Sequence, residues 1–276
     1  MSTINLFTET WQSLWEGAIP ENGAPWIATA SDEALEIGSI EERFPLLEDS
    51  AEGTRVGIGV ATGADQVYIL PAKNNEIEER HQLPLVLSRH ISIDAIDWGG
   101  EYVINPFDPV EPTGLVDLAE SPGLARYLNN HQEVIRRRYV ARQRPERWYR
   151  TIDRIHPALT SVEKLVVPDI QPGGVIGYDS GEFYPHHNVY HIISSGWDLR
   201  ALQGLLRSSF VSRQIAAHSV QMRGGSLRYQ AGTMRKVRVP HADRIDSGHV
   251  EMLRNHATDS DLSVIDSIVD EILRNA

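Results

Sequence analysis

The chain predicts an α+β fold: a twisted antiparallel or mixed sheet, two long helices and a C-terminal helical tail. Three observations carry that reading. Short β-rich runs follow one another without a helix between each pair, which argues against a doubly wound sheet. Two stretches, beginning near Ser121 and Trp197, repeat apolar residues at helical spacing. The last residues then form two amphipathic segments, about 246–257 and 259–274. A length of 276 residues is enough for one large domain or a domain with a small appendage. The expected division is an N-terminal extension or linker over 1–45, a main domain over 46–240 and the helical tail over 241–276.

In chain order, the first 45 residues set Trp11, Trp15 and Trp26 among acids and prolines, the pattern of a linker that docks through its aromatic rings. Residues 33–48 predict a short helix ending at the apolar patch Phe44, Leu46 and Leu47. Two β-rich runs between Arg55 and Leu70 flank Thr62-Gly63-Ala64-Asp65, which reads as a hairpin. More strand pattern follows over 83–105, and then a Pro/Asp-rich loop from Asn105 to Thr113. Ser121 with Pro122 is an N-cap followed by proline at the first helical position. Leu124, Leu128, His131 and Ile135 extend that helix to some 15–20 residues. Lys164–Ile170, Val175–Tyr178 and Asn188–Ile193 are expected strands, Trp197–Ala217 the second long helix, and Arg235–Pro240 a last strand.

Composition limits the function. There are no cysteines, so disulfides and thiolate metal sites are excluded, and a reducing compartment is expected. No apolar run nears the ~20 residues that cross a bilayer, and the N-terminus lacks the basic start and apolar stretch of a signal peptide. The expected location is therefore the cytoplasm, with no membrane partner. The net charge of −12 hides a strong segregation. Residues 1–130 carry six Lys/Arg against 22 Asp/Glu, residues 131–240 carry 17 against 8, and residues 241–276 carry three against 8. One basic region thus lies between acidic flanks, and its positive charge is nearly all arginine, the side chain suited to phosphate and guanine.

Within that region Arg136, Arg137, Arg138, Arg142, Arg144, Arg147 and Arg150, with Trp148 among them, combine phosphate neutralisation with an aromatic ring that stacks or packs. A second basic segment has Arg223, Gly224, Gly225, Arg228, Gln230 and Lys236. Its glycines let backbone approach a groove, and Arg228 and Gln230 match the edges of guanine and adenine. The competing readings are internal pairing of the arginines with acids, core packing of Trp148, and a solvated strand face over Arg235–Arg238.

Other constellations carry less. Gly57, Gly59 and Gly63 lie between β-formers rather than before a helix, so they do not make a dinucleotide loop. His186, His187 and His191 invite a metal, but no suitably spaced acid accompanies them. Asp169, Asp179 and Glu182 lack the lysine that a metal-dependent nuclease core would place after Glu182. No nucleophile elbow stands out, and no catalytic or metal-ligating residue is assigned.

Taken in order, GIGVATGADQVYI, ARYLNNHQEVIRRR, RWYRTIDR, EKLVVPDI, YPHHNVYHI, WDLRALQGLLRSSF, MRGGSLRYQ and RKVRVP resemble the TaqI-like C-terminal specificity domain of adenine-specific DNA methyltransferases and combined restriction–modification enzymes. The resemblance runs from about residue 40 to 240. It implies a target-recognition domain that selects a double-stranded DNA sequence, with the arginine block and the loop after Met222 near DNA. It also implies a methyltransferase catalytic domain or subunit as partner, in which S-adenosylmethionine would bind. The catalytic domain's glycine-rich cofactor loop and Asn-Pro-Pro-Tyr/Phe motif are not found in this sequence; Asn105-Pro106-Phe107 lacks the second proline. The expectation is a specificity subunit, a shortened gene product or a piece of a longer enzyme, with no cofactor of its own. The alternative is a protein–protein interaction module that keeps the fold without binding DNA and docks through its acidic N-terminal segment. A third is a hydrolase using His186, His187 and Asp169.

Overall fold

A computed structural model describes residues 31–49, 52–108, 114–171, 173–219 and 226–275. The three N-terminal tryptophans, together with Arg223, Gly224 and Gly225, lie outside the described residues. The elements form two four-stranded sheets, one two-stranded ribbon and helices packed around them, which bears out the α+β reading with both antiparallel and mixed pairing.

The first helix, α1 (Ser31–Arg43), ends at Phe44 and Leu47, both buried, while Leu46 stays exposed. The antiparallel sheet has the order β1 (Arg55–Ile58), β9 (Val189–Ile193), β5 (Lys164–Pro168), β7 (Gly177–Asp179). The mixed sheet has the order β2 (Ile69–Leu70), β4 (Tyr102–Ile104), β3 (Gln82–Val86), β8 (Tyr184–Pro185), with only β3–β8 parallel. A ribbon pairs β6 (Ile170–Gln171) with β10 (Leu227–Arg228).

The expected hairpin over 55–70 does not form. Strand β1 pairs with β9, and β2 pairs with β4 in the other sheet. Between them Thr62 takes the Ala64 N–H on its hydroxyl and donates to Asp65, turning the chain into a single helical turn, α2 (Asp65–Tyr68). The turn residues were legible; the partner of each strand was not, because it lies over a hundred residues away in one case. The glycines of this stretch serve packing. A Cβ on Gly57 would fall 2.2 Å from the His191 ring, and one on Gly59 would fall 2.1 Å from the His186 carbonyl oxygen.

The helix expected after Ser121 is three short ones: α3 (Pro122–Asn130), α4 (Gln132–Arg137) and α5 (Tyr139–Gln143). Ser121 stands at the N-cap position but does not cap. The Glu78 carboxylate accepts from Gly123 and Leu124 N–H instead, at 2.8 and 2.9 Å, and the Ser121 hydroxyl meets His81 Nε2 at 2.8 Å. A distant acid thus supplies both the cap acceptor and the negative charge that the helix start favours. Leu124, Leu128 and Ile135 are fully buried against the α2 and β4 region.

The second long helix also divides, into α6 (Leu199–Arg207) and α7 (Ser209–His218), because Ser208 leaves helical backbone and caps α7. Leu199, Leu202, Leu205, Leu206, Phe210 and Ile215 form its buried face as the spacing predicts, each contributing about 1.5–3 kcal/mol. After α8 (Ala231–Met234), the segment 235–240 is not a regular strand. It docks on the α1 exit through Leu47 N–H to Val237 O at 2.7 Å and Val239 N–H to Pro45 O at 3.1 Å. The tail is two helices as expected, α9 (Ser247–His256) and α10 (Ser263–Asn275). Leu253, Ile265, Ile268, Val269 and Ile272 share one core with Ile37, Ile40 and Phe44, with α6 and α7, and with the antiparallel sheet.

Candidate nucleic-acid interface

The breaks that replace the long helix decide where the arginines go. Arg138 sits at the bend between α4 and α5 with extended backbone. Its guanidinium donates to the carbonyls of Thr62 (2.7 Å), Arg150 (2.7 Å), Trp148 (3.0 Å) and Ile135 (3.0 Å) and to the Tyr68 hydroxyl (3.2 Å). Burial pulls its pKa below the ordinary arginine value, while Tyr68 counters this; the same burial raises the Tyr68 phenol. Each of the three guanidinium nitrogens of Arg138 thus donates inside the fold. Arg150 likewise donates to the Thr151 and Ile152 carbonyls at 3.2 Å each. These side chains close the loop after α5 onto the Ala61–Gly63 turn, where Asp153 also accepts from Ala61 N–H at 2.9 Å.

Arg136, Arg137, Arg142 and Arg144 are exposed, and Arg147 is partly so. Arg136 lies over the Trp148 ring at 4.5 Å, and Trp148 itself is buried in the helical core. The ring therefore packs and seats an arginine rather than offering a free face for stacking. Arg137 faces Glu133 at 3.7 Å, one helical turn away and with both side chains exposed, an arrangement that adds little stability. The block is thus divided: some guanidiniums hold backbone, and others stand in solvent.

In the second segment, Arg228 is held by Asp169 at 2.7 Å. The Gln230 amide satisfies its surroundings with its oxygen turned to Arg228, 2.8 Å from Nη2. Arg228 remains partly exposed, so its guanidinium is oriented at the surface. Lys236 is exposed; its neighbours are committed, Arg235 to Glu48 and the Val56 carbonyl and Arg238 to the Phe44 carbonyl. The two basic segments are joined by a chain of contacts: Arg138 to Thr62, Thr62 to Asp65, Asp65 to His186, and Asp169 N–H to the Asn188 carbonyl.

The nuclease-like acids have structural tasks. Asp179 lies opposite Lys164 across β5 and β7 and pairs with it at 2.7 Å, both side chains fully buried. It also accepts from the N–H groups of Gly181, Glu182 and Phe183. Burial lowers the Lys164 pKa and Asp179 partly restores it. Next to this pair, burial and the Lys164 charge push His191 down to about 4, and its Nδ1 has no partner among the described residues.

The histidines separate. His191 stays in the sheet under Gly57, whereas His186 and His187 turn toward Asp65, an acid 121 positions before His186 that sequence spacing gave no means to find. A second group, Glu52, His241 and Asp243, is also close enough to share a cation. There, however, Glu52 is already engaged by the His241 ring, the Ala242 N–H and the Trp197 indole. Asp169, the partner of Arg228, was likewise not assigned from sequence. Among the described residues no helix is long and apolar enough to cross a membrane.

No protein-family model matches the chain. Among curated proteins it is 44% identical over 241 residues to the Type II methyltransferase M.XhoI of Xanthomonas vasicola, covering 87% of this chain and 43% of that protein. It is 47% identical over 220 residues to M.PaeR7I of Pseudomonas aeruginosa, covering 79% and 38%, and 40% identical over 248 residues to M.BstVI of Geobacillus stearothermophilus, covering 90% and 44%. The chain spans about two-fifths of the length of these relatives. Its fold is similar to part of the type IIG restriction endonuclease BpuSI, with TM-score 0.50, 12% identity, and coverage of 83% of this chain and 28% of that one. It is similar in the same degree to the type IIL restriction–modification enzyme MmeI, solved in complex with DNA, with TM-score 0.50, 12% identity, and coverage of 80% and 33%. By sequence, the chain is therefore related to one portion of type II methyltransferases.

Proposed function

We propose that this chain is the DNA-reading part of an adenine-specific methyltransferase or restriction–modification system of the TaqI-like kind. Methyl transfer belongs to a catalytic domain or subunit outside the matched portion, and S-adenosylmethionine binds there. Gly57 and Gly59 offer that cofactor no cradle, since the space beside them is filled by a histidine ring and backbone carbonyls. The observation that carries the proposal is the divided arginine block. Arg136, Arg137, Arg142 and Arg144 present their charge to solvent in a protein whose net charge is −12. Exposed guanidiniums on adjoining short helices can neutralise phosphates and set register. Arg228 is our candidate reader of a guanine edge; its partly exposed guanidinium, held by Asp169 and Gln230, supports that reading.

The test is selection from a random pool of duplex DNA by the chain together with its methyltransferase partner, followed by binding of the selected and a scrambled duplex at several salt concentrations. The proposal expects one preferred site and an affinity that falls steeply with salt. Arg228→Ala is expected to cost about 1–3 kcal/mol on the preferred duplex and little on the scrambled one. A chain that shifts no duplex even at low salt would instead be a protein-docking module.

A further inference from the structure

We propose that Asp65, His186 and His187 form a binding site for one divalent transition-metal ion of the zinc class. The site is built by three separate features of the chain. Asp65 opens the helical turn α2, and its other carboxylate oxygen is held by the Thr62 hydroxyl at 2.5 Å. His186 stands at the end of β8, locked by a parallel bridge to Val60, and is nearly buried, with 8% of its side chain exposed. His187 follows it in the turn before β9, its ring 4.1 Å from that of His186.

The donor geometry fits one ion. His186 Nε2 lies 3.2 Å and His187 Nε2 3.8 Å from the same Asp65 oxygen, and all three donors fall within 4.8 Å of one another. Ligands placed about 2.0–2.1 Å from a tetrahedral zinc stand roughly 3.3 Å apart. Small side-chain adjustments therefore bring the three onto a common centre. The second layer is in place as well. His186 Nδ1 lies 2.7 Å from the Asn188 side-chain oxygen, which only accepts. A ring that donates from Nδ1 to this oxygen leaves Nε2, on the side of the Asp65 carboxylate, to act as the ligand atom. Asn188 is then the outer partner that metal-bound histidines ordinarily have.

Two imidazoles and one carboxylate, with no thiolate in the chain, suit zinc or its neighbours rather than calcium or magnesium. Asp65 and His187 are 44% and 48% exposed, so the remaining coordination position opens to solvent, where water or a phosphate oxygen would complete it. Bound there, the ion would tie the 61–65 turn, on which Arg138 and Ile152 also close, to the link between the two sheets.

The test uses the full chain, stripped with a chelator and titrated with Co²⁺ and with Zn²⁺ in the absence of DNA, so its result is independent of the function proposed above. One equivalent per chain is expected, with the visible absorption of protein-bound cobalt and displacement by zinc. His187→Ala, a surface substitution with circular dichroism as the check on folding, is expected to weaken binding at least about 100-fold. Asn188→Ala should weaken it about 10–100-fold through loss of the outer partner, while His241→Ala leaves it unchanged. Absence of stoichiometric binding by the wild-type chain, or undiminished binding by His187→Ala, would overturn the site and leave a bare histidine–carboxylate contact.

Discussion

Arg138 and the pair Arg142 and Arg144 lie within seven positions of one another, and the structure uses them in opposite ways. Arg138 is folded inward onto four carbonyls and a phenol, while Arg142 and Arg144 extend from the end of α5 into solvent. The difference lies in the backbone. Where α4 breaks before α5, Arg138 stands at the bend beside the 61–63 turn and the 148–150 loop, whose Thr62, Trp148 and Arg150 carbonyls its guanidinium takes. An arginine's role in this block is therefore set by whether backbone carbonyls face it, not by the local density of charge.

The largest expected effect follows from removing the inward arginine. Arg138→Ala leaves the Trp148 and Arg150 carbonyls without this donor, leaves Thr62 with the Ile152 N–H alone, and opens a gap beside Tyr68. The loss should be on the order of 3 kcal/mol in urea unfolding, with any loss of DNA affinity tracking the unfolded fraction. A stability change below about 1 kcal/mol would remove the distinction between the two kinds of arginine.

The sheet core sharpens the same contrast. Lys164 is buried with a carboxylate, whereas the adjacent half-buried His191 has none and is held down at about 4. The folded state thus favours the neutral ring relative to the unfolded chain, whose histidine titrates near 6.5. Stability from this group is fully present above pH ~6.5 and is lost as the pH falls toward 4, by at most about 3 kcal/mol. Unfolding midpoints at pH 7, 5.5 and 4 should fall accordingly in the wild type. His191→Phe should flatten that dependence; an unchanged slope would assign the acid sensitivity to other groups.

The sequence exposes what depends on local spacing and hides what depends on partners far along the chain. The buried leucines of α6 and the two tail helices follow from periodicity. The breaks at Arg138 and Ser208 do not, because the apolar spacing continues through both positions and masks the cap that Ser208 supplies. The cap of α3 comes from Glu78 rather than Ser121, and β1 pairs with β9 rather than with its neighbour in sequence. The candidate surface divides similarly: the arginine block is visible as composition, but its inward and outward members are not. Asp65 beside His186, and Asp169 beside Arg228, are invisible to any motif, since each pair joins residues more than 50 positions apart.

The smallest effect on stability is expected at the outward arginines, and it is the most direct test of what they do. Arg142→Ala combined with Arg144→Ala removes no contact to the core, so unfolding should change by less than about 0.5 kcal/mol. If both contact phosphates, the double variant lowers the salt dependence of duplex binding by about two in the log–log slope and weakens preferred and scrambled duplexes alike. If the slope is unchanged while Arg228→Ala still relaxes preference, the phosphate contacts come from elsewhere. Arg136 is then the next candidate, because its position over Trp148 holds an exposed guanidinium against a ring fixed in the core and so spares part of the side-chain entropy that contact with DNA would cost.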